Sequence, residues 1–150
     1  MASYAGAKAA VRTYFAGLWT TTPVLFKNGS TDRPKGEDGQ PLPWLFFEIV
    51  GSGSRIYAAG KPGNSVWYYD RLIQLHVFVP KGEGEDRATE LADTAGELFR
   101  AKVLYDDVTP GCYVRTWAPS TDEDDDGAAD EEGVYFRRTC RIPFEYWHRA

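Results

Sequence analysis

The chain has 150 residues, 43% of them hydrophobic and 22 of them aromatic (5 Trp, 9 Tyr, 8 Phe), which is ample for one core and too apolar for a wholly disordered chain. Seventeen Lys and Arg against 22 Asp and Glu give a net charge of −5, which argues against a general binder of nucleic acid or anionic membrane. The charge is uneven: eight acids fall between Asp122 and Glu132, and without them 14 acids face 17 bases, so a body of charge +3 carries one acidic segment.

The first residues lack the apolar run of a secretory signal, and no stretch approaches the roughly 18 apolar residues of a membrane span. Two cysteines, Cys112 and Cys140, make no disulfide framework, which fits a reducing cytoplasm. Asn28-Gly29-Ser30 then reads as a turn and not as a glycosylation site.

In chain order, Tyr4, Ala7, Val11, Phe15 and Leu18 recur at steps of three and four, which predicts a helix from Tyr4 to Trp19. Ser3 can cap it, and the threonine run before Pro23 ends it. Val24-Leu25-Phe26 is a short strand candidate, and the Gly- and Pro-rich stretch 28–43 reads as a mobile loop. Trp44 to Val50 alternates as a strand, with Leu45, Phe47 and Ile49 on one face and Trp44, Phe46 and Glu48 on the other.

The glycine-rich stretch 51–64, with Arg55-Ile56-Tyr57 in its middle, reads as a mobile loop forming the bent arm of a long hairpin. Val66 to Val79 returns as the strongest strand, with Ile73, Leu75, Val77 and Val79 on one face and Asp70, Leu72, Gln74, His76 and Phe78 on the other. Gly82-Glu83-Gly84 opens a helix predicted from Glu85 to Ala101, buried along Ala88, Leu91, Ala95, Leu98 and Phe99. Cys112 to Ala118 and Val134 to Trp147 close the fold, the latter with Val134, Phe136, Cys140, Ile142 and Phe144 inward. Segment 120–133 joins them as a mobile hairpin loop. A hairpin symmetric about the acidic segment would set Cys112 near Cys140 on the core face, as buried thiols or as a cross-strand disulfide.

The expected fold is therefore a single α+β domain over 1–150, in the order α-β-β-β-α-β-β. Its antiparallel or mixed sheet has four to five strands, with two helices on one face. Two such helices cannot cover both sides of the sheet. The other face would show Trp44, Phe46, Leu72, His76, Phe78, Tyr113, Arg115, Trp117, Arg137, Arg141 and Trp147. Large aromatics mixed with arginine are the composition of protein interfaces. This face either meets a partner or is covered by the chain's own long loops.

The acidic segment comes close to a calcium-binding loop. Asp122, Asp124 and Asp126 stand at the first, third and fifth positions, Gly127 at the sixth and Asp130 at the ninth, but Gly133 replaces the bidentate glutamate of the twelfth. A solvated loop fits better, and with Asp125 it forms a dense negative patch that can repel or dock a partner; no metal site is assigned. Glu48, Asp70 and His76 could share a sheet face as an acid–base cluster, the one enzyme-like or ligand-binding alternative. No nucleophile-elbow, zinc-protease, P-loop or dinucleotide motif is present, and no cofactor is implied.

Several segments together resemble the phage tail-terminator family. These are Trp44-Leu45-Phe46-Phe47-Glu48-Ile49, a long hairpin, Leu75-His76-Val77-Phe78-Val79-Pro80, then Gly82-Glu83-Gly84 before an Ala-rich helix, and the closing Arg141-Ile142-Pro143-Phe144. The resemblance follows the order of elements along nearly the whole chain. It implies a non-enzymatic virion protein of a long-tailed phage, assembled in the host cytoplasm. Such a protein forms a hexameric ring on the tail tube, stops tube growth, docks the head-completion protein and lets DNA pass without reading its sequence. Ring formation would bury the aromatic and arginine sheet face read above, with Trp44, Phe46, His76, Phe78, Arg115, Trp117, Arg137 and Arg141 at the subunit or partner interface.

Overall fold

A computed structural model describes residues 3–29, 33–82, 84–107, 111–122 and 134–150. The chain folds as α1 (Tyr4–Leu18), β1 (Val24–Phe26), β2 (Trp44–Val50), β3 (Arg55–Ala58), β4 (Val66–Pro80), α2 (Glu85–Glu97), β5 (Val103–Asp107), β6 (Cys112–Thr116), β7 (Ser120–Thr121) and β8 (Tyr135–Arg149). The strands make one mixed sheet in the order β1-β2-β4-β8-β6-β5, with β3 beside β4 and β7 beside β8. β1 runs parallel to β2 and every other pairing is antiparallel.

The expected α+β class with two helices on one face is found, but among the described residues the sheet has eight strands, not four or five, and the order is α-β-β-β-β-α-β-β-β-β, not α-β-β-β-α-β-β. The three additional strands each lack the alternation that marks a half-buried strand. β3 is exposed at all four residues, β7 has only two residues, and β5 is interrupted where Tyr105 takes a φ of 53°. The second helix also stops at Glu97, because Leu98 to Arg100 form a turn that Ala101 closes with a φ of 50°. At the first helix Ser3 caps as expected, its Oγ accepting from the Gly6 N–H at 2.9 Å.

One core fills the space between helices and sheet. Ala7, Val11 and Phe15 of α1 and Ala88, Ala92 and Ala95 of α2 pack on Leu45, Phe47, Ile73, Leu75, Val77, Cys140, Ile142 and Phe144. Phe15 is fully buried, with ring centroids of Phe47 at 5.4 Å, Phe99 at 5.7 Å and Trp19 at 6.1 Å. Removing such a side chain from water contributes about 2–3 kcal/mol. Leu18, expected in the buried stripe, is 52% exposed, and Trp19 takes its place in the core by leaving the helix.

Small residues bring α2 close to the sheet: a Cβ on Gly96 would run into Cys140 Sγ and lie 3.0 Å from Pro119 Cβ. Cys112 and Cys140 are both buried free thiols. They are not neighbours as the symmetric hairpin required. Cys112 pairs with His148 and Cys140 with Thr121, eight residues away along β8, or about 26 Å of strand.

Candidate functional site

The even positions of β2 and β4 and the odd positions of β8 and β6 point away from the helices. This follows from the two-residue period of the strands and the register that aligns them. Trp44, Phe46, His76, Phe78, Arg115, Arg137 and Arg141 therefore all stand on the face away from the helices, and Trp117 joins them through Arg115, whose guanidinium lies 4.4 Å over its ring. The structure brings these residues into one surface and divides that surface into three zones.

At one end Trp44 stacks on Phe78 with centroids 4.1 Å apart and planes 8° off parallel, and Tyr135 meets both edge-on. These three rings are buried on the outer face, with Leu25, Phe46 and Val134 packed around them. Val134 thus belongs to this outer cluster and not to the main core, and Tyr135 is shielded by its ring neighbours although it points outward. This end of the outer face has a small core of its own, and Arg33 of the first long loop covers part of it, its guanidinium 5.8 Å over the Tyr135 ring.

At the other end Tyr68 stacks on Trp147 at 4.8 Å, Tyr113 stacks on Trp147 at 6.2 Å, and Tyr57 of the exposed β3 arm meets Trp147 edge-on at 5.0 Å. Trp147 Nε1 donates to Glu145 at 2.9 Å. Tyr57 is 69% exposed, Trp117 40% and Tyr113 37%, so this zone presents large rings to solvent. Tyr57 carries no periodic signal in the sequence. Tyr68 does, since it continues the Asp70, Leu72, Gln74 face.

A polar belt separates the zones. His76 Nε2 lies 2.7 Å from Glu48 Oε1, and its Nδ1 lies 2.8 Å from Thr139 Oγ1. With its amide oriented to satisfy both neighbours, Gln74 donates to Glu48 at 2.7 Å and accepts from Arg141 Nε at 3.3 Å. Arg141 also pairs with Asp122, the one residue of the acidic patch among the described residues. Asp124, Asp125, Asp126 and Asp130 lie outside them, as do residues 30–32 of the first loop. Burial lowers the His76 pKa, an effect that outweighs the opposing pull of Glu48, and the charges of Arg137 and Arg141 add to the lowering.

Asp70 does not join this belt. It lies six residues along β4 from His76, about 20 Å, and pairs instead with Arg55 of β3 at 2.5 Å. Glu48, Asp70 and His76 share a face but form no cluster. Both ring nitrogens of His76 are engaged by neighbouring strands, so its observed role is to tie β2, β4 and β8 together. Among the described residues, no group of three His, Cys, Asp or Glu side chains could hold a metal ion, and no helix is long and apolar enough to cross a membrane.

No protein-family model and no curated protein matches the chain. A solved structure superposes with a TM-score of 0.61 at 17% identity, over 97% of this chain and 96% of the other. At that identity the likeness extends to the fold alone, an α+β arrangement shared along essentially the full length of both chains.

Proposed function

We propose that this chain is a structural, non-enzymatic subunit of a long-tailed phage virion. It forms a hexameric ring on the head-proximal end of the tail tube, ends tube polymerisation and offers the docking surface for the head-completion protein. The observation that carries the reading is the sheet face turned away from the helices, where aromatic zones flank a satisfied polar belt and Tyr57, Tyr113 and Trp117 stand exposed beside Arg115. Exposed aromatics beside arginine suit a subunit contact better than a solvated surface. The order of elements adds the tail-terminator resemblance. Capping follows if the ring occupies the tube end while offering no equivalent surface to a further tube ring.

The test is native mass at several protein concentrations, with and without millimolar Mg²⁺ and with the tail-tube protein, followed by negative-stain imaging. A six-subunit ring is expected, favoured by the divalent ion because clustered acids repel one another around a closed ring. Arg137→Glu combined with Arg141→Glu should prevent its formation. A monomer under all these conditions overturns the reading.

A further inference from the structure

A groove of about 390 Å³ runs between α1 and the first strand of the sheet, walled by Arg12, Thr13 and Ala16 on one side and Phe26 on the other. It continues past Arg12 and Phe26 into a small recess beside Lys8, Lys27 and Glu48. Three cations thus gather here, and among the described residues none of Lys8, Arg12 and Lys27 pairs with a carboxylate. Glu48 is the one acid in the wall, and its carboxylate is bonded to His76. The groove is a positive recess with an apolar floor, set at the β1 edge, where no further strand pairs among the described residues.

The opposite side of the sheet carries its complement. A single cross-sheet rung runs Phe26, Phe47, Leu75, Cys140, Thr121. Its two ends are four strand spacings apart, about 19 Å. The acidic segment begins at the residue after Thr121. There the Asp122 N–H donates to the Thr139 carbonyl at 2.8 Å, and its carboxylate is held by Arg141. The segment that carries eight acids in eleven residues therefore begins, at Asp122, beside the rung of the basic groove and on the far side of the sheet.

We infer that this groove docks the acidic segment Asp122–Glu132 of a second copy of the chain; the inference rests on the ring reading. Complementary surfaces on opposite sides of one subunit meet head to tail. Because they share a rung, successive subunits need no rise between them, which favours a closed ring over a climbing filament. The chain's own segment is a poor occupant. The thirteen residues from Asp122 to Val134 extend over their links to about 40 Å, while reaching the β1 edge and returning to Val134, three strand spacings across and six residues along β8 from the rung, takes about 44 Å. Docking also sets each acidic segment against its neighbour's cations, which offsets the repulsion among acids around the ring.

The experiment uses the full chain. Lys8→Glu, Arg12→Glu and Lys27→Glu combined should weaken self-association roughly tenfold or more, since three exposed ion pairs each contribute a few-fold. Asp124→Lys, Asp125→Lys and Asp126→Lys combined should do the same, and the two sets together should restore association. Independently, carbodiimide cross-linking of an equal mixture of ¹⁴N and ¹⁵N chains should join Lys8 or Lys27 to acids of segment 122–132 in mixed-isotope peptides. If wild-type rings form and the reversed groove forms them equally well without such peptides, the docking is wrong and the ring reading stands. A wild type that stays monomeric and gives only same-isotope cross-links overturns both.

Discussion

Replacing Gly96 with alanine sets two effects against each other at the closest approach of helix and sheet. The added methyl would overlap Cys140 Sγ and stand 3.0 Å from Pro119 Cβ. Neither neighbour yields easily. Cys140 is fully buried in a strand paired on both sides, and the proline ring has no alternative rotamer. Overpacking of this kind costs about 1–3 kcal/mol. Against it stands a helix-propensity gain of at most about 1 kcal/mol, less in a final turn. Overpacking wins, and the expected net loss is about 1–2 kcal/mol, or about 3–6 °C in Tm for a chain of this length.

Urea unfolding followed by tryptophan fluorescence measures the loss directly, with five Trp as reporters. Adding Cys140→Ala should recover part of it, because the new methyl then enters space that the sulfur has vacated. The two substitutions should therefore be non-additive by more than about 0.5 kcal/mol. A Gly96→Ala protein as stable as wild type, or additive costs in the double variant, would refute the close packing of α2 on β8. The ring assembly proposed above should persist at permissive temperature, since this contact lies on the helix side of the sheet.

Acidification should destabilise the fold through its histidines. Burial holds both His76 and His148 below the ordinary histidine value, so the unfolded chain takes up protons first. The stability they contribute is complete above about pH 6.5 and is lost as the pH falls from there through the lowered folded-state values. His76→Gln should narrow the gap between urea midpoints at pH 7.5 and 5.5, and an unchanged gap would contradict this. Burial also pushes the Cys140 thiol up to about 11, so little nucleophilic thiolate exists at pH 8. A chromogenic disulfide reagent should label neither cysteine in the native protein and both in urea; rapid native labelling of Cys140 would show that α2 opens readily. Phe15→Ala should cost about 3–5 kcal/mol, because the ring sits among Phe47, Phe99 and Trp19 with no solvent path to fill the void. A loss under 1 kcal/mol in calorimetry would mean that α1 is not held by this core.

Much of the architecture is legible in the chain because burial imposes a period. The aliphatic run Ile73, Leu75, Val77, Val79 and the stripe Ala7, Val11, Phe15 each declare one face, and the two-residue period then assigns Trp44, His76, Phe78, Arg137 and Arg141 to the other. Where burial is absent the period is absent too, so exposed β3, two-residue β7 and kinked β5 leave no such mark. Pairings across strands are a different matter. That Asp70 finds Arg55 and not His76, that Cys112 lies opposite His148, and that Trp44, Phe78 and Tyr135 close over one another are consequences of register and ring stacking. The charge of the acidic segment is written in the sequence. That it starts at the residue after Thr121, on the rung of Phe26 and across the sheet from Lys8, Arg12 and Lys27, is decided only by the hydrogen bonds that align five strands, because no local preference records which distant residues will share a row.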